Sequence, residues 1–260
     1  MPGLFITGAG TDIGKTYVTA ALIRVLREAG HPVDALKPVV SGFDMAAPQG
    51  SDPAVLLEAL GVAWSAEALA RMSPWRFAAP LSLPLAARLE GALLDAGAII
   101  AFCRRRIAET GDGLLLIEGA GGVMSPLDDN ATMLDLARAV ESPTLLVVGS
   151  YLGTISHTLT AALALHSVGR SPLAVVMNES VDAPPAGADA ARPTATDRRH
   201  PGVFGFPGRL GLHGACDADP RPRRRPSRVL NVPASGGQTR PRSRGGASGK
   251  TVCIRPPSRS

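Results

Sequence analysis

Apolar positions along the first 180 residues fall into two alternating patterns. Short, continuous apolar runs at GLFIT (3–7), VDALKPVV (33–40), GLLLIE (113–118), PTLLVVGS (143–150) and LAVVMN (173–178) predict five buried strands. Between the first two, Val18, Ala21, Leu22, Val25 and Leu26 recur at three- and four-residue steps, which predicts a helix over 15–29 stopped by Gly30. Further helices are predicted over 53–61, 84–92, 95–110, 132–140 and 154–168, with a Pro-rich connection between the first two of these. Strands apolar on both faces, alternating with helices, imply an α/β fold: a doubly wound, mostly parallel sheet with helices on both faces. Ligands of such sheets bind at the carboxyl ends of the strands. The glycine-bearing loops after residues 7, 118 and 149 fall at that edge.

Near residue 186 the pattern stops. The remaining segment is rich in Arg, Pro, Gly and Ser, as in PRPRRRPSR (220–228) and TRPRSRGG (239–246), and contains no glutamate. Apart from one island that reads as a strand, GVFGFP (202–207), this basic tail is expected to be disordered. The division is therefore an α/β domain over 1–185 and an aberrant tail over 186–260. Arg, Pro, Ala, Gly and Ser share GC-rich codons, so the tail reads as an out-of-frame product of GC-rich DNA or as an unrelated extension.

Charge follows the same division. The formal net charge is +5, but residues 1–185 carry 12 Lys+Arg against 18 Asp+Glu, and residues 186–260 carry 15 against 4. The basic balance belongs to the tail and gives no nucleic-acid signal for the body. Cys103, Cys216 and Cys253 match no metal or disulfide spacing and read as free thiols of a reducing compartment. The chain opens on a strand and a glycine loop rather than a leader, and no apolar run approaches the roughly 18 residues of a membrane helix. A cytoplasmic protein is expected.

Candidate chemistry sits in four places. GAGTDIGKT (8–16) lies between a strand and a helix, the context in which a glycine, a lysine and a threonine form a phosphate-binding loop (P-loop). Backbone N–H groups there turn around phosphate oxygens, and the helix dipole adds positive potential. Lys15 would reach the β- and γ-phosphates, and the Thr16 hydroxyl would meet Mg²⁺. In LKPVVSG (36–42) a lysine closes a strand at the ligand edge, and Asp52 opens the next helix, where a carboxylate also serves as an ordinary first-turn charge. LLLIEGAGG (114–122) ends a buried strand on Glu118, a position from which carboxylates orient Mg²⁺. In GSYLGTISH (149–157) two glycines precede a helix start suited to a carboxylate or phosphate, and His157 reads as a helix-face residue. A second GKT, in GGASGKT (245–251), follows no strand and has its glycines too close to wrap a phosphate.

The order of these elements resembles the dethiobiotin synthetase family over about residues 2–180. That family's loop has the form G-x-x-x-x-x-G-K-T, the spacing from Gly8 to Gly14 here. KPVVSG is similar to its KPV-x-S/T-G, and PWRFAAPLSLPLAARLEG (74–91) to its aromatic and proline segment. EGAGGVMSPL resembles EGAGG-x-x-x-P-L, and GSYLGTISHTLT resembles G-x-x-L-G-x-I-N-H with Ser156 at the Asn position. VMNES is similar to its strand-end asparagine. The resemblance implies a homodimeric P-loop ligase using ATP and Mg²⁺. CO₂ forms a carbamate on one amine of 7,8-diaminononanoate, ATP phosphorylates it, and the second amine closes the ureido ring. By the same resemblance, Lys37 and Lys15 are the catalytic pair, and Thr16, Asp52 and Glu118 hold the metal. Thr11, Asp12, Ile13, Gly14, Lys15, Thr16, Tyr17, Asp52, Glu118, Gly119, Ala120, Gly121, Asn178 and Glu179 form the nucleotide site, with Asn178 reading adenine. Ser41 and the backbone of Tyr151, Leu152, Gly153 and Thr154 receive the substrate. Asp12 stands where the family often has Glu.

Two other enzyme readings and one non-enzyme reading share parts of this pattern. A partitioning-type ATPase needs an early loop lysine where Gly10 and Thr11 stand. A related amidoligase would carry a glutaminase domain with a nucleophilic cysteine. Nucleic-acid binding through the basic tail lacks interleaved aromatics or a recognisable binding fold, so no nucleic-acid partner is expected.

Overall fold

The computed structural model describes residues 2–178 and 250–254. Strand β1 (Gly3–Gly8) leads into helix α1 (Lys15–Glu28), followed by β2 (Val33–Leu36), β3 (Val39–Ser41), α2 (Asp52–Leu60), α3 (Ala66–Met72), β4 (Trp75–Phe77), α4 (Leu83–Leu89) and α5 (Ala96–Glu109). Then come β5 (Leu114–Glu118), α6 (Met133–Ala139), β6 (Thr144–Val148), α7 (Thr154–Ser167), β7 (Pro172–Asn178) and β8 (Lys250–Ile254). Six strands form one parallel sheet in the order β2-β5-β1-β6-β7-β8. The chain moves outward from β1 to β2, returns through β5, and crosses β1 to reach β6. The crevice at the carboxyl ends of β1 and β5 is thus set for a ligand.

Strands β1, β5 and β6 feed both faces. Phe5, Leu115, Ile117, Leu146 and Val148 pack with α4, α5, α6 and α7 through Ala86, Ile99, Leu136 and Leu165. Their alternate neighbours Ile6, Leu116, Leu145 and Val147 pack with α1 and α2 through Val18, Ile23 and Leu56. This period-two division explains why the strands read as continuous apolar runs. Burying such side chains contributes about 1.5–3 kcal/mol each.

Three expectations need correction. VDALKPVV is two strands, not one: β3 leaves the main sheet and pairs in parallel with β4. Pro38 has no N–H for a ladder, and the Lys37 N–H donates instead to Met72 O at 3.1 Å. The Pro-rich connection holds α3, capped by the Ser65 side chain accepting from Ala68 N, and β4. Finally, Lys250–Ile254 of the tail forms β8, pairing with β7 from Ala174↔Lys250 to Asn178↔Ile254. Thr251, Val252 and Ile254 are β-branched and suit a strand. The second GKT therefore runs into a strand, not a helix. The strand expected over 202–207 lies outside the described residues.

Candidate active site

The phosphate loop joins β1 to α1, and its shape is set by backbone that few residues adopt. Asp12 has φ 55 and Gly14, the residue before α1, has φ 84. A side chain at Gly14 would overlap the Asn178 amide at the end of β7. That amide donates from Nδ2 to Ile13 O at 3.1 Å, while its buried Oδ1 has no partner among the described residues. Behind the loop, Val123 N donates to Gly8 O at 3.0 Å and Ala9 N to Val147 O at 3.0 Å. The glycine segment after Glu118 thus backs the phosphate loop. Gly119 N donates to Ile6 O at 2.9 Å, and Gly121 turns at φ 65.

Lys15 opens α1 and folds back over the loop, donating to Gly10 O at 2.9 Å. Burial, with the neighbouring Lys37 charge, brings its ammonium down to about 8. An anion in the loop would oppose both effects.

Lys37 lies between two carboxylates at the centre of the site. Its Nζ is 2.7 Å from Asp52 Oδ2, at the first residue of α2, and 2.7 Å from Glu118 Oε1, the last residue of β5. It also donates to Gly119 O at 3.3 Å. The Thr16 hydroxyl donates to the same Glu118 oxygen at 2.7 Å. Burial alone would lower the Lys37 ammonium, but Glu118 and Asp52 together raise it above its ordinary value. Burial alone would raise Asp52; Lys37, Thr16 and Lys15 outweigh it and hold the carboxyl below its usual value.

The Thr16, Asp52 and Glu118 donors are all oxygen, which suits Mg²⁺. Glu118 is wholly buried and its Oε2 has no hydrogen-bond partner among the described residues, which leaves a donor oxygen beside the loop. The residues present fit the ion.

The expected nucleotide and metal residues thus converge as one constellation around Lys15, Thr16, Lys37, Asp52 and Glu118. Thr11, Tyr17 and Ala120 lie in the same loops and first helical turn. Glu179 lies outside the described residues. Ser41 ends β3 and shares no hydrogen bond with this cluster among the described residues. The loop after β6 is held by Thr154, whose hydroxyl donates to Gly149 O at 2.6 Å, and Gly153 turns at φ 95 before α7. Leu152 is 97% exposed there. His157, read from sequence only as a helix-face residue, shares a 2.8 Å hydrogen bond with the Tyr151 hydroxyl. The i to i+6 spacing across a glycine turn carries no sequence signal for that pairing.

A glycine loop between a parallel strand and a helix, with a buried lysine over it and a carboxylate ending the adjacent strand, defines a P-loop nucleotide-binding protein. A family model described as an AAA domain matches residues 2–201. The ATP-dependent dethiobiotin synthetase of Caulobacter sp. (strain K31) is 56% identical over 184 residues, covering 71% of this chain and 79% of that protein. The enzyme of the same name from Methylobacterium nodulans is 50% identical over 207 residues, covering 78% of this chain and 91% of that one. The chain belongs to the dethiobiotin synthetase family.

Proposed function

We propose that the chain makes dethiobiotin from 7,8-diaminononanoate and CO₂ at the expense of ATP, within biotin biosynthesis. One observation carries this reading: in a member of that family, Lys15, Thr16, Lys37, Asp52 and Glu118 meet at the carboxyl ends of β1 and β5. Phosphoryl transfer asks a protein chiefly for positioning and for charge neutralisation, and these residues provide both.

In this route one amine of the substrate adds to CO₂ and loses a proton, giving a carbamate. A carbamate oxygen attacks the γ-phosphorus and ADP leaves. The second amine attacks the carbonyl carbon of the mixed anhydride, phosphate leaves, the nitrogen gives up a proton and the ring closes. Lys15 leaves the Gly10 carbonyl and donates to the β- and γ-phosphates. Lys37 pairs with the carbamate and with charge developing on the transferred group. The Thr16 hydroxyl and the Asp52 and Glu118 carboxylates would hold Mg²⁺, which would supply further neutralisation of phosphate charge. Backbone N–H groups of Thr11, Asp12, Ile13, Gly14 and Tyr17 surround the phosphates, and the Gly119, Ala120 and Gly121 segment supports that loop from behind. Asn178 Nδ2 is tied to Ile13 O, so adenine recognition uses its Oδ1, which has no partner among the described residues, or exchanges that bond. Ser41 holds the diamine side, and the turn at Tyr151 to Thr154 receives the substrate carboxylate.

The enzyme is assigned to the cytoplasm and to a homodimer. No helix of the described residues is long and apolar enough to cross a membrane. Catalysis is assigned to residues 1–185, with the tail as an extension that contributes β8. The test is ADP release by the full chain, with and without 7,8-diaminononanoate and bicarbonate. Release that needs both supports the reading. Release that follows a different acid, or needs neither, overturns the substrate. The same assay on a chain ending at residue 185 checks the division, and loss of turnover there would place the tail within the catalytic unit.

A further inference from the structure

The Lys37 ammonium stands among the oxygens assigned to the metal. Asp52 Oδ2 and Glu118 Oε1 each lie 2.7 Å from its Nζ. Thr16 donates to that same Glu118 oxygen at 2.7 Å. Mg²⁺ takes its oxygen ligands at about 2.0–2.1 Å and demands near-octahedral order. An ion held at that distance by Asp52 Oδ2 and Glu118 Oε1 would overlap an ammonium already in contact with them. On those two oxygens the metal and the ammonium therefore exclude one another.

Burial explains why a cation must always be present. The side chains of Lys37 and Glu118 are 4% and 0% exposed. Two carboxylates meeting there with no counter-charge would carry a heavy desolvation penalty. Lysine also suits a movable counter-ion, because its charge is compact and its four-carbon stem is flexible. The Asp52 side is 37% exposed, which leaves a way out of the cluster. Glu118 Oε2 stays buried without a partner among the described residues, so the ammonium does not saturate the carboxylate.

We propose that Lys37 is a built-in counter-ion that closes the metal site until the divalent cation arrives, and that cation binding expels its ammonium and so frees it for the substrate. The lysine and the metal then act in sequence on one pair of carboxylates. Metal loading becomes the step that arms the catalytic lysine. The proposal rests on the assignment of Thr16, Asp52 and Glu118 as the metal ligands.

The test uses Mn²⁺ alone with the full, nucleotide-free chain, the free ion being followed by electron paramagnetic resonance. Lys37→Met is expected to bind Mn²⁺ about tenfold or more tightly than the wild type, because a positive charge in contact with the ligands is removed. Glu118→Gln is expected to weaken binding in both backgrounds. If Glu118→Gln weakens binding but Lys37→Met does not tighten it, the counter-ion idea fails and the metal reading stands. If neither Glu118→Gln nor Asp52→Asn changes Mn²⁺ binding, the metal reading fails as well. Should Lys37→Met not fold, the wild type decides the matter. Acetylation of Lys37 by acetic anhydride, read by peptide mass spectrometry, is expected to rise on saturation with Mn²⁺. Unchanged labelling at a saturating concentration overturns the proposal.

Discussion

Burial and charge pull in opposite directions on the two lysines of the site, and the outcomes differ. Lys37 faces two carboxylates, which outweigh its burial and keep it firmly charged. Lys15 is governed by burial and by its neighbour Lys37, and falls to about 8. Lys15 is therefore partly neutral in the free enzyme just above neutral pH and becomes fully protonated when phosphate lies against it. Nucleotide binding is expected to take up about half a proton at pH 8 and almost none at pH 6, where Lys15 is already charged. Calorimetry in buffers of different ionisation enthalpy measures this, and Lys15→Arg, which cannot lose its proton, should abolish the uptake. Stability shifts with pH for the same reason. A lysine depressed by folding disfavours the fold below about pH 8, so this penalty lifts as pH rises from 8 towards 10.5. At Lys37 the expected effect is on chemistry. Lys37→Ala should lower turnover by roughly 10²–10³ while ATP affinity changes only a few-fold. The substitution also leaves Glu118 as a buried unpaired carboxylate, a cost of about 3–5 kcal/mol in stability. Equal losses of ATP binding and turnover would contradict the assigned role.

The junction of β1, α1 and β7 depends on one close approach, that of Gly14 to Asn178. Gly14→Ala places a methyl group into the Asn178 amide and also forces alanine to φ 84. Removing the amide with Asn178→Ala should relieve the first problem and leave the second, a left-handed backbone costing roughly 1–2 kcal/mol. Unfolding midpoints of the two single variants and the double variant form the test. The double variant should be more stable than the sum of the singles implies, and strict additivity would mean the two residues do not collide. This junction was largely legible in the sequence, because a strand, a glycine loop and a helix are local features and the apolar run of β7 ends on Asn178. The convergence of Lys37, Asp52 and Glu118 was legible as three positions at the ligand edge, but not as an ion triad, since nothing local reports that one ammonium bridges both carboxylates. The split of VDALKPVV was hidden because both halves are apolar; only Pro38 marked the break. Helix α3 and strand β4 are seven and three residues long, too short to establish a period, although Ser65 offered a cap signal. Strand β8 was hidden by its setting, five residues in an Arg- and Pro-rich segment whose partner strand lies some 70 residues upstream.

At the scale of the whole molecule, four leucines in and beside α4 are exposed among the described residues. Leu85 and Leu89 sit four residues apart on α4 and so share a helix face, at 41% and 65% exposure. Leu81 before the helix and Leu93 after it are 41% and 82% exposed. A contiguous exposed apolar patch marks an association surface, and the shared Leu85 and Leu89 face is the candidate here. The opposite side of α4 is fixed in the core through Leu83, Ala86 and Ala87, so the exposed side can change without disturbing the fold. A homodimer closed by this ridge would bring the same leucines of two copies together in an isologous contact. Leu85→Glu with Leu89→Glu should then convert the dimer to a monomer, because each interface would bury four unpaired carboxylates. Sedimentation velocity reads the change in mass, and circular dichroism should show the helix content unaltered. A double variant that stays dimeric would move the interface away from α4. A wild-type chain that sediments as a monomer across the micromolar range would remove the homodimer from the assignment altogether.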